Sequence, residues 1–429
     1  MRKGAMRETD SHAGSIADIR GRIAGGADAQ GLVAHRWERA RALEPDIRAF
    51  AHLPEAPPAA GEGPLAGVTV GVKDLIDTAD MPTSYGSPIH TGHRPVADAA
   101  IVARLRALGA TVLGKTVTTE FAWRHPGPTR NPWDLGRTPG GSSSGSAAAV
   151  AAGVATLALG TQTLGSVIRP AAYCGVVGFK PSFGTFSREG VHPLSGSLDH
   201  VGLFARTAVG ISDAFAVLTD ADRRPVPTRR RLAALRPPAE LVSADQAAAF
   251  EDCLRSLKDA GWTVEEIEWP GLVDRGMEIV DAIVSREASE IFGDRRATRA
   301  ELLSHHIIDL VDAGLSRPVS IYDEALAAQR DLRDTFASRI AGFDALLTIP
   351  APGEAPEGFA STGDGRFCAP WTVIGAPAIS LPVRLSVAGL PLGLQVVGRM
   401  NDDPALLATA VAIAGVAPKI DAQPPVPAA

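Results

Sequence analysis

Val68, Val70 and Val72 alternate with Thr69 and Gly71, and this period of two predicts a strand that ends on Lys73. Ahead of it, a helical period runs from about Ile16 to His52, with Ile16, Ile19, Ile23, Leu32 and Val33 among its apolar positions and a break at Gly25 and Gly26. Residues 99–108 are predicted helical up to Gly109, and residues 111–113 form a short strand. A Gly/Ser loop at 140–145 opens an alanine-rich helix at 147–152, followed by strand-like residues 155–159 and a loop at 161–166. Helices with charged faces are expected between about 245 and 343. Two apolar runs, 377–385 and 390–397, precede a helix at 404–414. Short connections between alternating strands and helices predict an α/β fold, one large domain around one large sheet. The chain divides into a helical region at 1–63 that packs on the core, a principal domain at 64–416, and a loose Pro/Ala-rich tail at 417–429.

Composition narrows the picture only slightly. With 45% hydrophobic and 21% charged residues among 429, the chain reads as globular. A net charge of −6 gives no electrostatic reason to expect nucleic acid as a partner. Three widely spaced cysteines, Cys174, Cys253 and Cys368, form neither a disulfide framework nor a Cys-x-x-Cys pair. The N-terminus lacks an apolar secretion segment, and the apolar stretch 147–159 is short and interrupted by Gly153. The expected location is therefore cytoplasmic, without membrane association.

Three familiar patterns fail on context. Residues 109–116 fit the P-loop expression, but a helix precedes them and Thr111, Val112 and Leu113 are strand formers. Residues 141–145 fit the nucleophile-elbow expression, yet no strand leads into them. His90, His93 and His125 lie among loop residues at no metal-ligand spacing, so no metal is expected.

What remains is a set of three segments. Lys73 closes an apolar strand, where it either pairs with Asp74 or Asp77 or loses its proton by burial and becomes a base. The loop holding Ser142, Ser143 and Ser144 is either a linker or a tight turn that places one hydroxyl. Small residues before Ser166 either make a turn or aim successive N–H groups into one space, as an oxyanion site requires.

Together these segments resemble the amidase-signature family: Gly71-Val72-Lys73-Asp74, then Gly140-Gly141-Ser142-Ser143, then Gly165-Ser166. The likeness continues through residues 171–182, 197–202, 375–382 and 389–395. It implies that the sheet is mixed and twisted, covered by helices, and that catalysis uses a Lys73–Ser142–Ser166 triad without metal or cofactor. Ser166 would attack the amide carbonyl and form an acyl-serine. Ser142, after a cis peptide bond, would bridge it to neutral Lys73. Backbone N–H groups of Thr163, Leu164, Gly165 and Ser166 would hold the oxyanion.

Two departures from the family pattern bear on specificity. Gln162 and Ile168 replace an Asp–Arg pair, and the arginine moves to Arg169. Arg169, Gln162 and Ser143 are accordingly the expected substrate-binding residues, with Arg169 set to receive a carboxylate, as in the malonamidase branch. Leu164 stands where the family has glycine, and would be strained if that position needed positive φ. The expected activity is hydrolysis of a small linear amide, malonamate-like if it carries a carboxylate. The alternatives are a component of the A type in a multi-subunit amidotransferase, which would supply ammonia, and a ureide or carboxybiuret hydrolase. The expected partner is a small-molecule amide; a homodimer is left open.

Overall fold

The computed structural model describes residues 15–222, 224, 227 and 229–426. The first fourteen residues and residues 427–429, the ends of the two terminal segments expected from sequence, lie outside them. Among the described residues, strands β1 (Phe50–His52), β2 (Thr69–Lys73), β3 (Thr111–Thr116), β4 (Leu157–Gln162), β5 (Val177–Lys180) and β6 (His200–Ala205) build one half of a sheet. β7 (Arg231–Leu235), β8 (Thr263–Ile267), β9 (Ala345–Thr348), β10 (Ala378–Leu385) and β11 (Pro391–Val397) build the other half. The eleven strands lie in the order β1-β3-β2-β4-β6-β5-β10-β11-β9-β7-β8. β2 runs parallel to both β3 and β4, whereas β4, β6, β5, β10, β11 and β9 pair antiparallel in succession. The sheet is thus mixed, with helices covering it, and the α/β expectation holds.

Several elements differ from the sequence pattern. The N-terminal helical stretch breaks at the expected glycines into two helices, Ile16–Ala24 and Ala29–Ile47, and differs only in its last residues, which turn into β1. Arg48 adopts a left-handed φ of 53° that ends the second helix and redirects the chain. Ile16 and Ile19 sink into the same core as β2 and β4, so this region shares the sheet and core of the principal domain. The strand expected at 155–159 starts later and runs on to Gln162, because its partner β6 continues opposite it to His200. β8 interrupts the region expected to be helical, and β7 precedes it in a stretch for which no element was expected. Residues 417–424, within the stretch expected to be loose, border a groove of about 630 Å³ against Trp133, Cys174 and Val209, and Arg206 donates to Gln423 Oε1.

Burial explains the site's framework. Every residue of β2, β3 and β4 is buried, as expected of central strands covered on both faces. The helix Ser144–Ala151 is small-residued and buried along its whole length. Its closeness is enforced at Gly145, where an added Cβ would lie 2.1 Å from Ala49 O and 2.4 Å from Val117 N. Only a glycine lets this helix press onto β3 and hold the preceding Gly/Ser loop against the ends of β2 and β4.

Candidate active site

Lys73 ends β2 with its side chain fully buried. Its Nζ lies 2.7 Å from Ser142 Oγ and 2.7 Å from Thr161 Oγ1, with Thr161 O at 3.4 Å. Removal from water disfavours the ammonium form and lowers the Lys73 pKa well below the usual lysine range, against the opposing pull of the Asp199 carboxylate. Asp74 does not pair with it; that carboxylate lies 3.4 Å from a different buried lysine, Lys115, and accepts from Ser84.

Ser142 follows a cis peptide bond with Gly141 and is 2% exposed. Thr119 N donates to its carbonyl at 3.3 Å. Ser143 is tied to β4: its hydroxyl donates to Thr161 O (3.2 Å) and accepts from Thr161 N (3.3 Å). Its N–H donates to Ser166 O at 3.4 Å, which joins the two serine loops through the backbone. Ser166 is 6% exposed, and among the described residues its hydroxyl has no hydrogen-bond partner.

The loop between β4 and the helix Ile168–Cys174 is organised by Gln162. Its Oε1 accepts from Val167 N (2.9 Å) and Ile168 N (3.0 Å), and its Nε2 donates to Thr372 Oγ1 (2.9 Å). Thr372 in turn donates to Leu164 O at 2.9 Å. Those bonds occupy the donors after Ser166, while the N–H groups of Leu164, Gly165 and Ser166 donate to no protein acceptor among the described residues. Three successive free donors beside a hydroxyl are what a developing oxyanion needs. Leu164 is absent from the positive-φ positions, so its backbone carries no left-handed strain; its side chain packs beside Gly365. Thr163 Oγ1 donates to Asp199 Oδ1 at 2.5 Å, and Asp199 Oδ2 accepts from Leu194 N and Ser195 N. Burial raises the Asp199 pKa, and those three hydrogen bonds oppose the rise.

Arg169 is buried, and its fork is engaged. Nη2 donates to Gly141 O (2.6 Å) and Thr362 Oγ1 (3.1 Å), and Nη1 to Gly363 O (3.0 Å); Nε has no partner. Desolvation lowers the Arg169 pKa. Sequence reasoning brought Lys73, Ser142, Ser143, Gln162, residues 163–166 and Arg169 together, and the structure places them in one neighbourhood. It passed over Thr161, Asp199 and Thr372. A buried threonine ending a strand and an acid within the matching segment 197–202 were the available signals. Among the described residues no cluster of His, Cys, Asp or Glu is arranged to hold a metal ion, and no helix is long and apolar enough to cross a membrane.

A buried lysine, a serine at hydrogen-bond distance, a second serine in a loop with free N–H donors and a mixed eleven-stranded sheet coincide here. The sequence model of the amidase family matches residues 46–407, and the chain belongs to that family. It is a hydrolase of carbon–nitrogen amide bonds, and the serine-based mechanism is general to the family. The A-type component of the glutamyl-tRNA(Gln) amidotransferase of Symbiobacterium thermophilum is 35% identical over 417 residues, covering 84% of this chain and 85% of that protein. A solved amidase structure superposes with a TM-score of 0.83 at 30% identity, over 92% of this chain and 98% of that one. The peptide amidase from Stenotrophomonas maltophilia superposes with a TM-score of 0.77 at 27% identity, over 96% and 98% of the two chains.

Proposed function

We propose that the protein hydrolyses small linear amides through Lys73, Ser142 and Ser166. The observation that carries this reading is the environment of Lys73 Nζ. Nζ donates to Ser142 Oγ, Thr161 Oγ1 and Thr161 O, burial lowers its pKa well below the usual lysine range, and once neutral its lone pair takes the Ser142 proton. Ser142 then takes the proton from Ser166 as the Ser166 hydroxyl turns toward it. Ser166 Oγ attacks the carbonyl carbon, and the N–H groups of residues 164–166, with Thr163, receive the oxyanion. The proton returns along the same path to the leaving nitrogen, the C–N bond breaks, and the acyl group stays on Ser166. Water, deprotonated by the same relay, releases the acid.

Ammonia release from butyramide and malonamate tests this reading. Ser166→Ala should lose about 10⁴-fold or more in rate, and Lys73→Met a comparable amount, because the relay acts as a unit. Hydroxylamine should trap an acyl group from the wild type and none from Ser166→Ala. Full turnover by Ser166→Ala would sink the mechanism. Arg169 supports a malonamate-like substrate in lacking an acidic partner among the described residues, but its occupied fork favours a part in holding the Gly141 carbonyl.

The 35% identity to the A-type component of an amidotransferase supports a second reading, in which this chain supplies ammonia within a complex. Glutaminase activity that depends on co-purified partner chains would favour it. Silence on both amides with turnover of a ureide would favour the ureide hydrolase.

A further inference from the structure

After β3 the chain makes a tight reversal over residues 119–125 beside the Gly/Ser loop. Its foot is Thr119, whose N–H donates to Ser142 O. Its arch is closed by Ala122 N to Thr119 O (3.0 Å), Trp123 N to Glu120 O (2.8 Å) and Glu120 N to His125 O (3.4 Å). The Glu120 carboxylate is buried and engaged, accepting from Ser87 Oγ (2.8 Å) and Ser304 N (2.9 Å). Pro126 and Gly127, just after the arch, line a small hollow with Pro139, Gly140, Ser144 and Thr362. Thr362 is also a partner of Arg169, so the arch, the Gly/Ser loop and the Arg169 shell are contiguous.

The arch holds three non-glycine residues at positive φ: Phe121 (46°), Ala122 (63°) and Arg124 (44°). A single such residue is uncommon, and three within four positions are kept only where the surroundings hold them. What this backbone delivers is Arg124. Its side chain is exposed, and its guanidinium stands 4.9 Å over the Trp123 ring. Among the described residues Arg124 has neither a hydrogen-bond acceptor nor a carboxylate partner. Burial chiefly lowers the Arg169 and His306 pKa values, and the Arg124 charge adds a smaller lowering to each. Of the nearby acids, Glu120 is bonded as above, Asp364 holds Arg366, and Asp309 faces His306.

We propose that Arg124 binds a carboxylate carried by the substrate, and so selects anionic amides beside the serine loop. Resting on the amidohydrolase reading, this assigns to Arg124 the recognition that Arg169, with its fork occupied, does not offer. A guanidinium over an indole face is restrained in position, and with no acceptor among the described residues its N–H groups are free for two carboxylate oxygens.

Two measurements test it. Malonate is titrated calorimetrically into Ser166→Ala protein and into the Ser166→Ala/Arg124→Gln double variant. In parallel, kcat/KM for malonamate and for butyramide is compared between wild type, Arg124→Gln and Arg124→Lys. The expected result is that Arg124→Gln weakens malonate about 10- to 100-fold and lowers the malonamate-to-butyramide ratio by a similar factor, mainly through KM. Arg124→Lys should retain part of both. A carboxylate on the leaving side is distinguished by running N-acetylglycine against N-acetylglycinamide. Absence of malonate binding to Ser166→Ala protein, or a binding constant and substrate ratios that Arg124→Gln leaves unchanged, overturns the proposal. If the wild type cleaves none of the amides, the amidohydrolase reading fails by itself, and the malonate titration still decides Arg124.

Discussion

One side chain, Gln162, holds three groups in place around the serine loop. Replacing it with leucine leaves Val167 N and Ile168 N without their acceptor in a buried region, while Thr372 Oγ1 keeps Leu164 O. Each unsatisfied group costs about 1–3 kcal/mol. Gln162→Leu should therefore lower stability by several kcal/mol in urea unfolding and depress kcat, while Gln162→Glu keeps the acceptor and falls between. A Leu variant with wild-type stability would contradict this role. Lys73 gives a second expectation at this scale. Only its neutral form accepts a proton, so kcat/KM should fall as pH drops through its lowered pKa, with a midpoint below the usual lysine value of about 10.4. A pH-independent rate across that range would remove Lys73 as the base. Strand periodicity and small-residue loops marked Lys73, Ser142 and Ser166 without deciding their roles, which came from the family resemblance. Gln162 was legible as a site residue, but expected to bind substrate rather than to hold Val167 N, Ile168 N and Thr372; Thr161 and Asp199 were not legible, because their tasks exist only once Lys73 and Thr163 are brought to them by the fold.

Elements were legible wherever burial is uniform. β2 announces itself through Val70 and Val72, in step with Val68 just before it, with every residue buried, and the helix Ser144–Ala151 through its alanines. β8 was missed because a helical pattern with charged faces surrounds this five-residue strand, and Glu265 fits that charged face although it pairs with Arg231 of β7. The helix Ile168–Cys174 was hidden by Pro170, which sits in the first turn where its absent N–H removes no intrahelical bond. Helix contacts give a sharper test. At Gly314, where the helix His305–Ser316 crosses Leu272–Thr298, an added Cβ would lie 1.9 Å from Ser285 O. Gly314→Ala should destabilise by about 3 kcal/mol as the two helices separate. Unchanged thermal unfolding would mean that this crossing is not formed as described.

Across the whole molecule, burial silences several ionisable groups. The Cys253 and Cys368 thiols are pushed up to about 12, and Cys174 further still, by desolvation. All three should ignore a disulfide reagent in native protein and react on denaturation. Lys180, within β5, donates to Ala376 O, and burial brings its pKa down to about 7. With the folded value below the ordinary 10.5, the unfolded chain binds more protons between those limits, so this lysine makes stability rise with pH there. Relative to Lys180→Met, the wild type should gain on the order of 1 kcal/mol per pH unit between 7 and 10. Parallel curves would show that Lys180 stays charged.

The outermost strand β8 carries Glu265 and Glu266 in succession, the first bonded to Arg231 and the second to Arg236. At the opposite end β1 is only three residues long. Both rims of the sheet are thereby blunted toward a neighbouring chain: one is edged by charged side chains already committed to ion pairs, and the other has too little length to template pairing. A self-association of this enzyme through shared β-structure is disfavoured, so if copies pair, they meet through helices or loops and leave the catalytic sheet of each copy complete.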